Sequence, residues 1–307
     1  MSSNFLNIQK SKKFKHMKKT ILSLGVLILL GISSCKDVEK KTMSDGEAQT
    51  LLIEAATAYS IFAGTQEDAT RAGLESESML NKSAQKTALE GYPQISVDPL
   101  DLSTWPKTIT IDYGPENITG MDGHKRRGVM MIQADNFPDV DGAVWKINFS
   151  DYYHDDNKVD GEQTIKYLGE NANGHPEYQC FVTDGIITTP EQKEYYFEQQ
   201  ITREWIEGYD THYVLTGDMD DLCDDTYKFT GSHWGISSDG YSYSMSTDEP
   251  LIVNVCCRWV KDGVLKVSMD DYELSCEIDY NPAGDSGECN NQASFSIFGV
   301  SVPIELP

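Results

Sequence analysis

From Trp105 to the end of the chain the hydrophobic pattern repeats every two residues, and this repeat restricts the possible folds more than any other feature. Ile109 and Ile111 alternate with Thr110 and Asp112, while Trp145, Ile147 and Phe149 alternate with Lys146, Asn148 and Ser150. Successive strand side chains point to opposite faces, so each run buries one face and wets the other. Turn signals set the register. Phe298-Gly299 makes a two-residue turn that pairs Ile297 with Val300, Phe295 with Val302 and Ala293 with Ile304 on one face. Lys261-Asp262-Gly263 predicts a three-residue loop pairing Trp259 with Leu265, Cys257 with Val267 and Val255 with Met269. The expectation is a mainly β protein, an antiparallel meander forming a sandwich or curled sheet over residues 101–307.

One helix is expected ahead of the strands. Ser44-Asp45-Gly46-Glu47 reads as a capping box, and Leu51, Leu52, Ala55, Tyr59 and Phe62 then recur at helical spacing. The pattern predicts an amphipathic helix from about Asp45 to Ala63, packed as a lid on the β domain. Its polar face lacks the lysines of a membrane-surface helix. From Gly64 to Gly91 the periodicity dissolves, which predicts a linker or a loosely packed helix.

The N-terminus carries an address. Lys18 and Lys19 precede a short apolar run, Ile21 to Ile32, and Ile32-Ser33-Ser34-Cys35 closes it with small residues and a cysteine. A run of about a dozen residues is shorter than the ~20 needed to span a bilayer. It is similar to a bacterial lipoprotein signal, which implies cleavage after Ser34, acylation of Cys35 and a lipid anchor. Residues 1–34 are then signal, and residues 35–100 tether, helix and linker. A start at Met17 would give a signal of ordinary length. Lys36 stands where an aspartate would hold a lipoprotein at the inner membrane, which implies an outer-membrane address on the periplasmic or surface face.

Charge excludes one class of partner. The chain carries a net charge of −24, and the first 34 residues hold six lysines and no acidic residue, so cleavage takes it near −30. Nucleic acid needs a cationic surface to displace its counterions, so none is expected as a partner. Outside the cytoplasm the six cysteines after Cys35 are disulfide candidates. Cys256 and Cys257 point to opposite faces of an extended chain, and Cys257 is preferred as the partner of Cys289. Two separate buried thiols are the alternative. There is no CxxC and no pair of histidines at ligand spacing in sequence, so neither zinc nor another cofactor is expected.

Four stretches suggest chemistry. Gly284-Asp285-Ser286-Gly287 resembles the nucleophile motif of chymotrypsin-like proteases but lacks that family's histidine surroundings, so a turn is the plainer reading. Asp218, Asp220 and Asp221 belong to an acidic run that could offer oxygen ligands to calcium, although Cys223 and Phe229 stand where an EF-hand needs glycine and glutamate. Lys125, Arg126 and Arg127 form the one concentrated cationic run after Cys35, able to contact an anionic group or to neutralise charge between strands. Tyr241 and Tyr243 share a strand face and could stack on a sugar ring, or simply fit a half-wet sheet.

Several ordered motifs, TITIDYG, GHKRRG, INFSDYYHDDNKVDGEQTI, REWIEGYDT, EPLIVNVCCRW and CNNQASFSIFGVSVPIEL, resemble a family of Bacteroidota outer-membrane or surface lipoproteins without an assigned function. The resemblance covers residues 108–306. It implies a secreted, lipid-anchored β domain and no activity, and the family's CRW cysteine and late-loop cysteine correspond to Cys257 and Cys289. Phe298-Gly299 departs from the Asn-Gly of that family, as does the absence of a cysteine near Met121. The reading is a non-enzymatic binding or structural module at the outer envelope, with a glycan or protein partner. The alternatives are a carrier whose curled sheet holds acyl chains beneath the helix, and a hydrolase.

Overall fold

The computed structural model describes residues 44–82, 93–120, 122–211, 220–269, 272, 274–285, 288–297 and 299–306. It opens with helix α1 (Asp45–Lys82), followed by strands β1 (Gln94–Asp98), β2 (Lys107–Thr119), β3 (Lys125–Ala134), β4 (Val144–His154), β5 (Asn157–Glu170), β6 (Pro176–Thr188) and β7 (Glu194–Glu207). A short helix α2 (Asp220–Cys223) precedes β8 (Thr226–Ile236), β9 (Ser242–Asn254), β10 (Asp262–Met269), β11 (Leu274–Asp279), β12 (Gln292–Ile297) and β13 (Val300–Glu305). All thirteen strands form one sheet in chain order. Every neighbouring pair is antiparallel, so the meander predicted from alternation and turns is the observed architecture.

Helix α1 starts as its sequence predicts. The Ser44 amide donates to the Glu47 carboxylate at 2.8 Å, and the Glu47 amide donates back to Ser44 Oγ at 3.3 Å, which closes the capping box. The helix then continues to Lys82, well past the expected end near Ala63. It is no lid. Leu51, Ala55, Ala58, Phe62, Thr65, Gln66, Ala69 and Ala72 are all buried, in a single core shared with the strands and with Val97 of β1.

The helix contacts require a curled sheet. Asp68 meets Tyr113 of β2 and Arg126 of β3, whereas Thr70, two residues on and so on the opposite side of the helix, accepts a hydrogen bond from Arg203 of β7 at 3.0 Å. In a flat sheet β3 and β7 would stand about 19 Å apart. One helical turn reaches both because the sheet wraps around it. Phe62 stacks on Phe197 of β7 at 5.4 Å between ring centroids and meets Phe149 of β4 edge-on at 6.2 Å. At Gly73 the fit is closest, for a Cβ there would lie 2.0 Å from the Trp145 ring.

The last hairpin keeps the predicted register, with Ile297 opposite Val300, Phe295 opposite Val302 and Ala293 opposite Ile304. The preceding hairpin does not. Val267 lies opposite Met245 and Leu265 opposite Thr247, so the partners are in β9 rather than in residues 255–259. Leu265, Val267 and Met269 still share one buried face. The reason lies in the cysteines. Cys223 is bonded to Cys256 and Cys257 to Cys289, so the adjacent pair is drawn to two different partners and the chain leaves the sheet after Asn254. The Asn254 side chain secures that exit by donating to the Cys223 and Asp225 carbonyls at 2.8 and 3.1 Å. The expected Cys257–Cys289 bridge is therefore present, Cys223–Cys256 is a second one, and Cys180 and Cys276 are buried thiols.

Truncating Phe62 removes the ring that joins opposite walls of the curl. Phe62→Ala should lower unfolding stability by about 3–5 kcal/mol, the usual cost of a buried phenylalanine, read from the urea midpoint. A shift below about 1 kcal/mol would mean that the helix does not fill the sheet.

Candidate functional site

Because the inner face is occupied by α1, binding chemistry has to be sought on the outer face or at the rims. Outward side chains of β7 and β8 stand in cross-strand pairs: Tyr196 with Ile236, Glu198 with Trp234, Gln200 with Ser232 and Thr202 with Thr230. Gln179 of β6 adjoins Thr202. A groove of about 430 Å³ runs over this surface, lined by Gln179, Gln200, Thr202, Thr230, Ser232 and Trp234, with Ile201 and Gly231 at its floor.

The groove exists because the β8–β9 ladder breaks between Phe229 and Ser232. Gly231 occupies the gap at φ 140°, and its amide donates to Thr247 Oγ1 at 3.0 Å in place of a ladder partner. A side chain is excluded there, since a Cβ would come 2.4 Å from the Gln200 carbonyl oxygen. The Trp234 indole is fixed by donating to Glu198 at 2.8 Å, and Tyr196, 44% exposed, extends the surface. Amides and hydroxyls supply donors and acceptors without net charge, and the indole supplies a flat apolar face.

A second cluster of polar groups lies under the helix. Arg126, pointing inward from β3, forks onto Asp122 and places Nε 2.8 Å from the Asp68 carboxylate. Asp68 also accepts from Tyr113 at 2.7 Å and pairs with Arg71. Burial pushes the Asp122 carboxyl up, but the Arg126 hydrogen bond and charge outweigh it and hold the group at about 2. Glu67, on the same helix, is pushed by burial to about 7, against the pull of Arg203. Arg203 is itself buried between the rings of Tyr178 and Tyr227, 4.7 and 4.6 Å away.

The residues singled out from sequence land as follows. Lys125, Arg126 and Arg127 do not converge on an anion, because strand alternation sends them to opposite faces. Lys125 is exposed, Arg126 is buried in the ion pairs just described, and Arg127 pairs with Asp156 and Asn117 while lying 3.8 Å over Tyr153. Tyr241 and Tyr243 do share a face, but it is the inner one. Tyr243 is buried and Tyr241 donates its hydroxyl to Glu47 of α1, so this pair is no solvent-facing platform. Asp220 and Asp221 form the first turn of α2, where carboxylates favour the helix dipole. Asp218 lies outside the described residues, as do Ser34, Cys35 and Ser286 with Gly287. The groove was missed because its outward polar residues look like ordinary solvated strand positions, and its one signal was Trp234 on the wet side of β8.

The fold and groove define a class: a curled antiparallel sheet filled by a single polar-cored helix and carrying a neutral, indole-bearing groove on its outer face. Comparison with protein-family models, with curated proteins and with solved structures finds no match to this chain.

Asp122 links the cluster to pH. Its folded-state value of about 2 lies below its ordinary 3.8, so its contribution is fully present above pH 4 and is lost as pH falls through 2. Asp122→Asn should cost about 2 kcal/mol at pH 7 and flatten the loss of stability between pH 4 and 2 in denaturant titrations. An unchanged acid limb would show that the Arg126 pair carries none of it.

Proposed function

We propose that this chain is a lipid-anchored extracytoplasmic lipoprotein of the outer envelope that acts as a non-enzymatic binding module, taking a neutral glycan in the groove over β6, β7 and β8. The observation that carries the reading is the composition of that groove, where Gln179, Gln200, Thr202, Thr230 and Ser232 surround the Trp234 indole without a charged lining residue. Its volume lies in the range of small-molecule sites. Sugar rings present hydroxyls at their edges and apolar C–H groups on their faces, and this lining complements both. Two disulfides support an oxidising compartment, in keeping with export through the signal that precedes Cys35. A lipid carrier would need open apolar space between helix and sheet, and Phe62, Leu51 and Tyr59 of α1 occupy that position.

Glycan-array binding tests the groove. Trp234→Ala should reduce the signal by roughly tenfold or more, about 1.4 kcal/mol, while Tyr241→Ala leaves it unchanged. Equal binding by Trp234→Ala and the unaltered protein would sink the glycan reading. The anchor is tested separately: Cys35→Ser should abolish fatty-acid incorporation and move the protein into the aqueous phase of a detergent partition, and wild-type behaviour in both assays would remove the lipoprotein assignment.

A further inference from the structure

Two histidines thirty residues apart in sequence meet at one rim of the sheet, away from the groove. His124 ends the turn between β2 and β3, His154 is the last residue of β4, and Asp155 begins the turn to β5. One ligand atom from each lies within 4.8 Å of the others. The backbone holds them in place. Arg126 faces His154 in the β3–β4 ladder, and the Asp155 amide donates to the Lys125 carbonyl at 2.8 Å. Asp155 and Asp156 both have positive φ, 47° and 65°, as the two central residues of the tight turn between β4 and β5. This turn sets the Asp155 carboxylate against His124 Nδ1 at 2.6 Å and lets it accept the Lys125 amide at 2.8 Å.

A second observation is independent of that clustering. His154 is 1% exposed, and neither of its ring nitrogens has a hydrogen-bond partner. Leaving a buried polar group unpaired is costly, and such a group in a folded protein calls for an explanation. The three side chains also form a gradient of access, from buried His154 through His124 at 15% to Asp155 at 39%. This provides an open side for an ion to enter and a closed side that holds it. Gly64 of α1 leaves room for the His154 ring, since a Cβ there would lie 3.2 Å from its Cε1.

We propose that His124, His154 and Asp155 form a site for a divalent transition-metal ion, with two imidazole nitrogens and one carboxylate oxygen as ligands and water completing the shell. This is a donor set that Zn²⁺ accepts. Metal–ligand distances of about 2.0–2.1 Å put tetrahedral ligand atoms about 3.3 Å apart, so atoms now up to 4.8 Å apart draw together while the 2.6 Å His124–Asp155 contact opens by about 0.7 Å, movements within reach of the two more exposed side chains. The neighbouring Arg126 does not oppose the ion with a bare charge, because Asp122 and Asp68 already neutralise it, and Asp155 supplies the site's own negative charge. Metal at this place would clasp the β2–β3 turn to the β4–β5 turn beneath the middle of α1.

The test uses the full chain purified in detergent, stripped with a chelator and dialysed against Zn²⁺ or Co²⁺. About one equivalent of Zn²⁺ should remain by elemental analysis, and the Co²⁺ form should develop visible d–d bands. His154→Ala would open a hole in the core, so His124→Ala and Asp155→Asn carry the test. Both should weaken binding by roughly tenfold or more and lose the bands while keeping the parent circular dichroism spectrum. His175→Ala, which alters a separate histidine–carboxylate pair with Glu204, should bind as the parent does. The proposal is overturned if the parent retains no metal, if His124→Ala and Asp155→Asn bind as tightly as the parent, or if His175→Ala loses as much.

Discussion

A helix that buries polar side chains has to find their partners inside the protein, and that demand on α1 organises this structure. Thr65 donates to Gln163 Oε1 at 2.7 Å, and the Gln163 amide donates to the Phe62 carbonyl at 2.9 Å, so an inward-facing amide on β5 satisfies the helix at its centre. Three residues further on, Asp68 gathers Tyr113, Arg71 and Arg126. Each of these groups would be costly alone in the core, and breaking a buried pair costs more than the pair contributes. They favour one helix register, because a slip of one residue would turn Asp68 away from Arg126.

Arg126 carries that order outward to the rim. By forking onto Asp122 it fixes the β2–β3 turn, where the Asp122 carboxylate also accepts the His124 amide at 3.1 Å. This places His124 beside His154, which sits opposite Arg126 in the neighbouring strand. The histidine pair is thus a consequence of how the helix is held, although no residue of α1 belongs to it.

Filling the inner face also decides where a ligand can be met. Side-chain parity sends Tyr243, Phe197 and His233 inward to pack with the helix and leaves Trp234, Gln200 and Ser232 outside. A ladder break at Gly231 then turns a flat outer surface into a groove. At the far end of the sheet the two disulfides do the corresponding work for loops. Each closes a stretch of 32 or 33 residues, which in the chain-entropy view is worth about 3–4 kcal/mol, and together they keep residues 255–261 out of the β9–β10 ladder.

Periodicity and turn chemistry by themselves determined the strand class, the meander order, the capping box at Ser44 and the register of the last hairpin, because these depend on neighbours a few residues apart. The second half of α1 escaped them, since Thr65 and Asp68 break the apolar stripe where the helix meets polar partners on β2, β3 and β5. The register of β9 with β10 escaped for a related reason: two long-range disulfides override the local turn signal at Asp262-Gly263. Only tertiary structure could turn Tyr241 and Tyr243 inward, raise Trp234 over a groove and bring His124 to His154. Curling a sheet around a helix chooses which of two alternating faces is inside and joins residues that no spacing along the chain relates.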